Sequence, residues 1–160
     1  MNNWEKKIIS ENGELVSSYK SVFFNHKIPI RFLKTSEEIG PVQKSTISLL
    51  IENEMEVMDQ VMASVLSYYK SVFMEYRNAW KEAGADKEVL DEVLPKIVDQ
   101  SKLIKLIKPM EIYIFEDIVM EAGDFGMAFH CEWDIEHGFG IFFENWKASD
   151  VGLMEVAFGY

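Results

Sequence analysis

Apolar residues follow three regimes along the chain: short alternating runs, then a long helical stripe, then alternating runs again. In residues 8–17, IISENGELVS, two strand-like runs flank Asn12-Gly13, a pair that tolerates the positive φ angles of a type I′ hairpin turn. Val22-Phe23-Phe24 and Ile28-Pro29-Ile30-Arg31-Phe32, separated by Asn25-His26-Lys27, predict a second hairpin. Pro29 has no N–H. Its strand is therefore expected at a sheet edge, or with the proline on an unpaired side.

From Pro41 the period changes. Ile51, Met55, Met58, Met62, Val65, Tyr69, Val72, Tyr76 and Trp80 recur in steps of four and three, which places them in one stripe along a helix. No Gly or Pro falls between Pro41 and Gly84, so the pattern predicts one long helix from about Thr46 to Lys81. Thirty-six residues would span about 54 Å, longer than a domain of this size, so a bend or break near one end is expected. The stripe is read as core. Gly84 suits the position after the helix, where positive φ is needed. Asp86 caps a second helix over residues 87–94, ended by Pro95. Asp99 or Ser101 caps a third, which runs to about Ile107 and ends before Pro109.

The last fifty residues return to period two. Ile112–Phe115 form one strand. In the next, Met127, Phe129, Cys131 and Trp133 share one face, and Ala128, His130, Glu132 and Asp134 share the other. A turn over Ile135–Gly138 leads into Phe139–Glu144, and a fourth strand is expected within Leu153–Phe158. Strands, then helices, then strands predict an α+β single domain spanning residues 1–160: N-terminal β-hairpins, one long central helix with short following helices, and a C-terminal antiparallel β-meander.

Composition sets limits on this picture. The chain has 160 residues, 48% hydrophobic and 27% charged, with a formal net charge of −11. Residues 1–110 hold 16 acids and 15 bases, whereas residues 111–160 hold 11 acids and one base, Lys147. An excess of acids argues against a nucleic-acid or anionic-membrane binder, since both need Lys and Arg. The single cysteine, Cys131, permits no internal disulfide and suits a reducing cytoplasm. No signal-peptide segment or membrane-length apolar run is visible.

Catalytic motifs are missing: there is no GxGxxG after a strand, no GxxxxGK[ST] and no GxSxG. Cys131 lies on the inward phase of its strand and reads as a small buried hydrophobe rather than a nucleophile. The run His130-Cys131-Glu132-Trp133-Asp134-Ile135-Glu136-His137 raises a metal question, because His130, Glu132 and Asp134 would share a strand face with His137 in the turn. The alternative reading is a solvated acidic face beside a tight turn. In that turn Asp134 accepts backbone N–H groups and Gly138 supplies positive φ.

The stretch Cys131-Glu132-Trp133-Asp134-Ile135-Glu136-His137-Gly138-Phe139-Gly140-Ile141 resembles the C-x-W-D-x-E-H-G-x-G-[IV] signature of a bacterial family of small uncharacterised domains. Tyr68-Tyr69, Leu94-Pro95 and Ile107-Lys108-Pro109 also resemble that family's layout, over about residues 20–158 of this chain. The resemblance implies an immunity protein that neutralises a toxin in bacterial competition, and it assigns no catalytic residue.

These readings combine into a non-enzymatic protein-binding domain with no cofactor and no metal. Its basic protein partner, a toxin, would dock on an acidic face formed by Glu132, Glu136 and Glu144, with Trp146 as an aromatic anchor. Glu132 and Glu144 are expected on adjacent strands, with Glu136 in the turn between them, as one contiguous patch. Two alternatives stand beside this reading. One is a small metal-dependent enzyme using His130, Glu132, Asp134 and His137. The other is a structural or regulatory module that dimerises through the helix stripe.

Overall fold

The computed structural model describes residues 3–96 and 99–159. Seven strands, β1 (Ile9–Glu11), β2 (Glu14–Ser21), β3 (His26–Phe32), β4 (Ile107–Ile114), β5 (Phe125–Cys131), β6 (Phe139–Glu144) and β7 (Lys147–Gly152), form one sheet in chain order. Neighbours run antiparallel except β3 and β4, whose parallel pairing joins the two meanders into a single sheet. The long connection between them carries α1 (Pro41–Glu52), α2 (Glu54–Glu82), α3 (Lys87–Val93) and α4 (Gln100–Leu103). This is the α+β architecture that the hydrophobic pattern predicts. No helix among the described residues is long and apolar enough to cross a membrane.

The expected long helix is broken at Asn53 (φ −109°, ψ 29°). The cause is a strand end that grips the helix start. The Glu54 carboxylate, buried at the first residue of α2, accepts the Val22 N–H at 3.1 Å and the Ser21 and Tyr19 hydroxyls. Asn53 folds its own amide back onto the Leu49 carbonyl at 2.9 Å, which closes α1. The same grip corrects the second hairpin. Val22-Phe23-Phe24 is the turn rather than a strand, and β2 is shared by both hairpins. Ser21 Oγ accepts the Phe24 N–H at 3.0 Å and holds that turn.

Val57, Met58, Val61, Met62, Val65 and Tyr69 of α2 are buried in the main core with Phe125, Met127, Phe129, Phe139, Ile141 and Phe143 of β5 and β6. Burying such side chains contributes about 1.5–3 kcal/mol each. Toward the C-terminal end of the helix the stripe thins out. Val72, Tyr76 and Trp80 are half-buried, and at the start Met55 is exposed. Gly84 follows α2 with φ +100°, and the Asp86 and Asp99 carboxylates cap α3 and α4 as their positions predict. α4 is a single turn followed by a 3-10 turn. β4 then starts at Ile107, so Pro109 sits inside a strand beside a β-bulge rather than ending a helix.

The fourth C-terminal strand is also corrected. β7 is the polar run Lys147–Gly152, and Met154–Phe158 is a 3-10 turn laid on the sheet face opposite α2. It buries Ala157 against Ala128 and Tyr113, which explains why Ala128, expected on the open face, is fully buried. The approach is close. A Cβ on Gly126 would lie 1.7 Å from the Ala157 carbonyl oxygen, so this part of β5 must be glycine.

Candidate functional site

The stretch from Cys131 to Ile141 builds the turn between β5 and β6. Trp133 is fully buried, stacked on Phe139 at 5.7 Å and edge-on to Tyr69 at 5.1 Å. Its carbonyl accepts the Trp80 indole N–H at 2.9 Å, which ties the turn to α2. Asp134 is the hub. Oδ1 accepts the His137 N–H at 3.1 Å and lies 3.0 Å from His137 Nδ1, while Oδ2 accepts the Tyr76 hydroxyl at 2.7 Å. Gly138 closes the turn with φ +62°, its N–H on the Asp134 carbonyl at 2.9 Å. A Cβ there would meet the Phe129 carbonyl oxygen at 2.2 Å. Burial and the adjacent Asp134 push the Tyr76 phenol well above its ordinary range. Tyr76 therefore stays protonated and donates.

This arrangement fixes His137 through Nδ1 beside a shallow cleft of about 420 Å³ walled by Trp80, Ala79, Ala83 and Ile135. Among the described residues, the cleft lining holds no Ser, Thr, Cys or Lys side chain. The Cys131 thiol faces inward, donates to the Asp134 carbonyl at 3.6 Å, and is pushed up to about 12 by burial. It is therefore a neutral thiol at working pH. His130, Glu132, Asp134 and His137 do not converge. Among the described residues no three His, Cys, Asp or Glu side chains form a group that could hold a metal ion.

The acidic residues chosen from sequence lie at two ends of one hairpin. Glu132 follows β5 and Glu136 lies in the turn, both exposed. Glu144 is exposed at the far end of β6, five residue steps from Phe139, or about 17 Å along the strand. The single contiguous patch is therefore not formed. Trp146 lies beside Glu144 in the β6–β7 turn and is half-buried. Its ring packs against Phe125 at 6.0 Å and over Gly123, and its carbonyl accepts from Gln60 at 2.7 Å.

Sequence reasoning missed a cavity of about 640 Å³, which lies between the β2–β3 turn and the start of β4. Its apolar wall includes Phe23, Phe24, Leu106 and Pro109, and its polar wall holds His26, Lys105, Lys108, His130 and Glu132. It sits where the sheet is incomplete. β3 begins at His26 and β4 at Ile107, but their pairing runs only from Ile30 opposite Ile112 to Phe32 opposite Ile114. Pro29 and Pro109 bring no N–H to the unpaired stretch. β3 is thus an interior strand whose proline pairs with Ser18 of β2 and lies beyond the last residue paired with β4. The one legible signal was a proline in each of two apolar strand runs, Ile28-Pro29-Ile30 and Ile107-Lys108-Pro109.

Comparison with curated proteins and with solved structures finds no match in either. A family model does match residues 4–158, nearly the whole chain, and the protein belongs to that family, described as a domain of unknown function (DUF6985).

Proposed function

We propose that this domain is a non-enzymatic binding protein of the bacterial cytoplasm, an immunity protein that neutralises a basic toxin through its acidic C-terminal half. One observation carries the reading: six carboxylates of that half, Glu121, Glu132, Glu136, Glu144, Asp150 and Glu155, are exposed, and none forms an ion pair among the described residues. Other acids are put to structural use. Glu11, Glu14 and Glu111 surround Arg31, and Asp117 caps α1 through the Val42 and Gln43 N–H groups. Unpaired carboxylates repel one another, and a basic partner relieves that repulsion while gaining encounter rate.

Because Glu132 and Glu136 stand at one end of the β5–β6 hairpin and Glu144 with Trp146 at the other, the partner would contact two separate places. The test uses the cognate toxin as partner and compares Glu132→Lys/Glu136→Lys with Glu144→Lys by stopped-flow association at low and physiological salt. Each change should slow association by about tenfold at low salt, and by less when screening shortens to about 8 Å. If both variants fold normally and associate at the original rate at both salts, the acidic surface is not the docking site.

A further inference from the structure

The lining of the cavity of about 640 Å³ has a net charge opposite in sign to the rest of the molecule. The chain carries −11, yet the side chains lining this cavity include Lys105 and Lys108 against one acid, Glu132, together with His26 and His130. Lys108 and His130 are direct cross-strand neighbours on β4 and β5, so they present their groups side by side. The apolar part of the lining is formed by Phe23, Phe24, Leu106 and Pro109. A volume of about 640 Å³ lies within the range that encloses small ligands. A net positive charge in a cleft with low-dielectric walls focuses the field on an anion there.

We infer that this cavity is a binding site for a small organic anion, a carboxylate or phosphate group carried on an apolar body. Lys105 and Lys108 supply the charge. His26 and His130 line the same cavity and offer ring N–H groups as further donors. Phe23, Phe24 and Leu106 take the apolar part. Glu132 works against the ligand, and this gives the proposal a sign that a generic surface effect would lack. Removing Glu132 should tighten binding, whereas removing the lysines should loosen it. The site shares Glu132 with the toxin reading, and the Glu144 variant tests that reading without touching this cavity.

The experiment titrates the full chain with phenyl phosphate, benzoate and inorganic phosphate, following the imidazole signals of all three histidines by NMR and the heat by calorimetry. Phenyl phosphate or benzoate should shift His26 and His130 saturably while His137, outside the cavity, stays still. Whichever of the two binds tighter identifies the head group. Inorganic phosphate should bind more weakly than phenyl phosphate because it leaves the apolar wall unfilled. Lys105→Gln/Lys108→Gln should weaken the tighter probe about tenfold, and Glu132→Gln should strengthen it a few-fold. All these substitutions fall on exposed side chains, so folding is retained and is checked by circular dichroism. The inference is overturned if neither organic anion moves His26 and His130 at about 10 mM, well into the weak range for a single charged fragment. It is equally overturned if inorganic phosphate binds as well as phenyl phosphate, or if the lysine and Glu132 variants change affinity in the same direction.

Discussion

Two turns close the last three strands, and they are held in opposite ways. The β5–β6 turn is made by its own residues: Asp134 accepts from its own turn and Gly138 takes the positive φ. The β6–β7 turn puts two ordinary residues, Asn145 (φ 49°) and Trp146 (φ 66°), into the left-handed region. That conformation costs roughly 1–2 kcal/mol for Trp146 and less for Asn145, whose short amide side chain tolerates it. Distant groups offset the cost. Asp124 accepts the Asn145 N–H at 2.8 Å, the Gly123 carbonyl accepts the Trp146 N–H at 3.0 Å, and Gln60 of α2 bonds both the Trp146 carbonyl and the Ala148 N–H. The first turn carries its cap and its positive φ in its own residues, with Tyr76 and Trp80 of α2 bracing it, whereas the second depends on distant groups for its hydrogen bonds.

The sharpest way to break this contrast is Gly138→Val. Positive φ and a backbone oxygen at 2.2 Å from the new Cβ both oppose it, so a loss of at least about 3 kcal/mol is expected in urea denaturation. A loss below about 1 kcal/mol would mean that the turn can shift and is not self-determined. Gln60→Ala tests the other turn from a distance of 86 residues in sequence. Two hydrogen bonds at a half-buried site disappear, and a loss of about 1–2 kcal/mol should accompany a change in tryptophan fluorescence. A neutral Gln60→Ala would show that the β6–β7 turn stands without α2.

The smallest effect concerns Cys131, at the base of the first turn. Its folded-state pKa, about 12, lies above the ordinary thiol value of 9.0. The thiol's contribution to stability is therefore complete below pH 9. It is lost as pH rises from 9 toward 12, because the unfolded chain ionises first. Native protein at pH 8 should react with a disulfide reagent only as fast as it opens, whereas protein in urea reacts at once. Rapid reaction of the native state would place the thiol, and the turn above it, in contact with solvent.

The same distinction explains what could be read from the sequence. The helix stripe, the Asn12-Gly13 hairpin, the Asp86 cap and the Asp134–Gly138 turn are encoded by neighbours, and each is present. β7, Lys147–Gly152, has no apolar alternation and was invisible, whereas Leu153–Phe158 alternates enough to imitate a strand. Its 3-10 path is set by the bare surface of Gly126, and no local signal carries that. The break at Asn53 depends on Glu54 meeting Ser21 and Val22, residues more than thirty positions away. The cavity was hidden for the same reason, since His26, Lys108 and His130 become neighbours only after β3 and β4 pair.

That pairing has a consequence for the order in which the molecule can be made. Ile30 must wait for Ile112, about 80 residues of synthesis, which at 5–20 residues per second takes roughly 4–16 s. During that interval the first meander emerges with β3 as an open edge, the kind of surface on which nascent chains cross-associate. Pro29 interrupts that edge, and Lys27 and Arg31 charge it. The proline that limits the finished sheet to three paired residues at this seam thus protects the unfinished one.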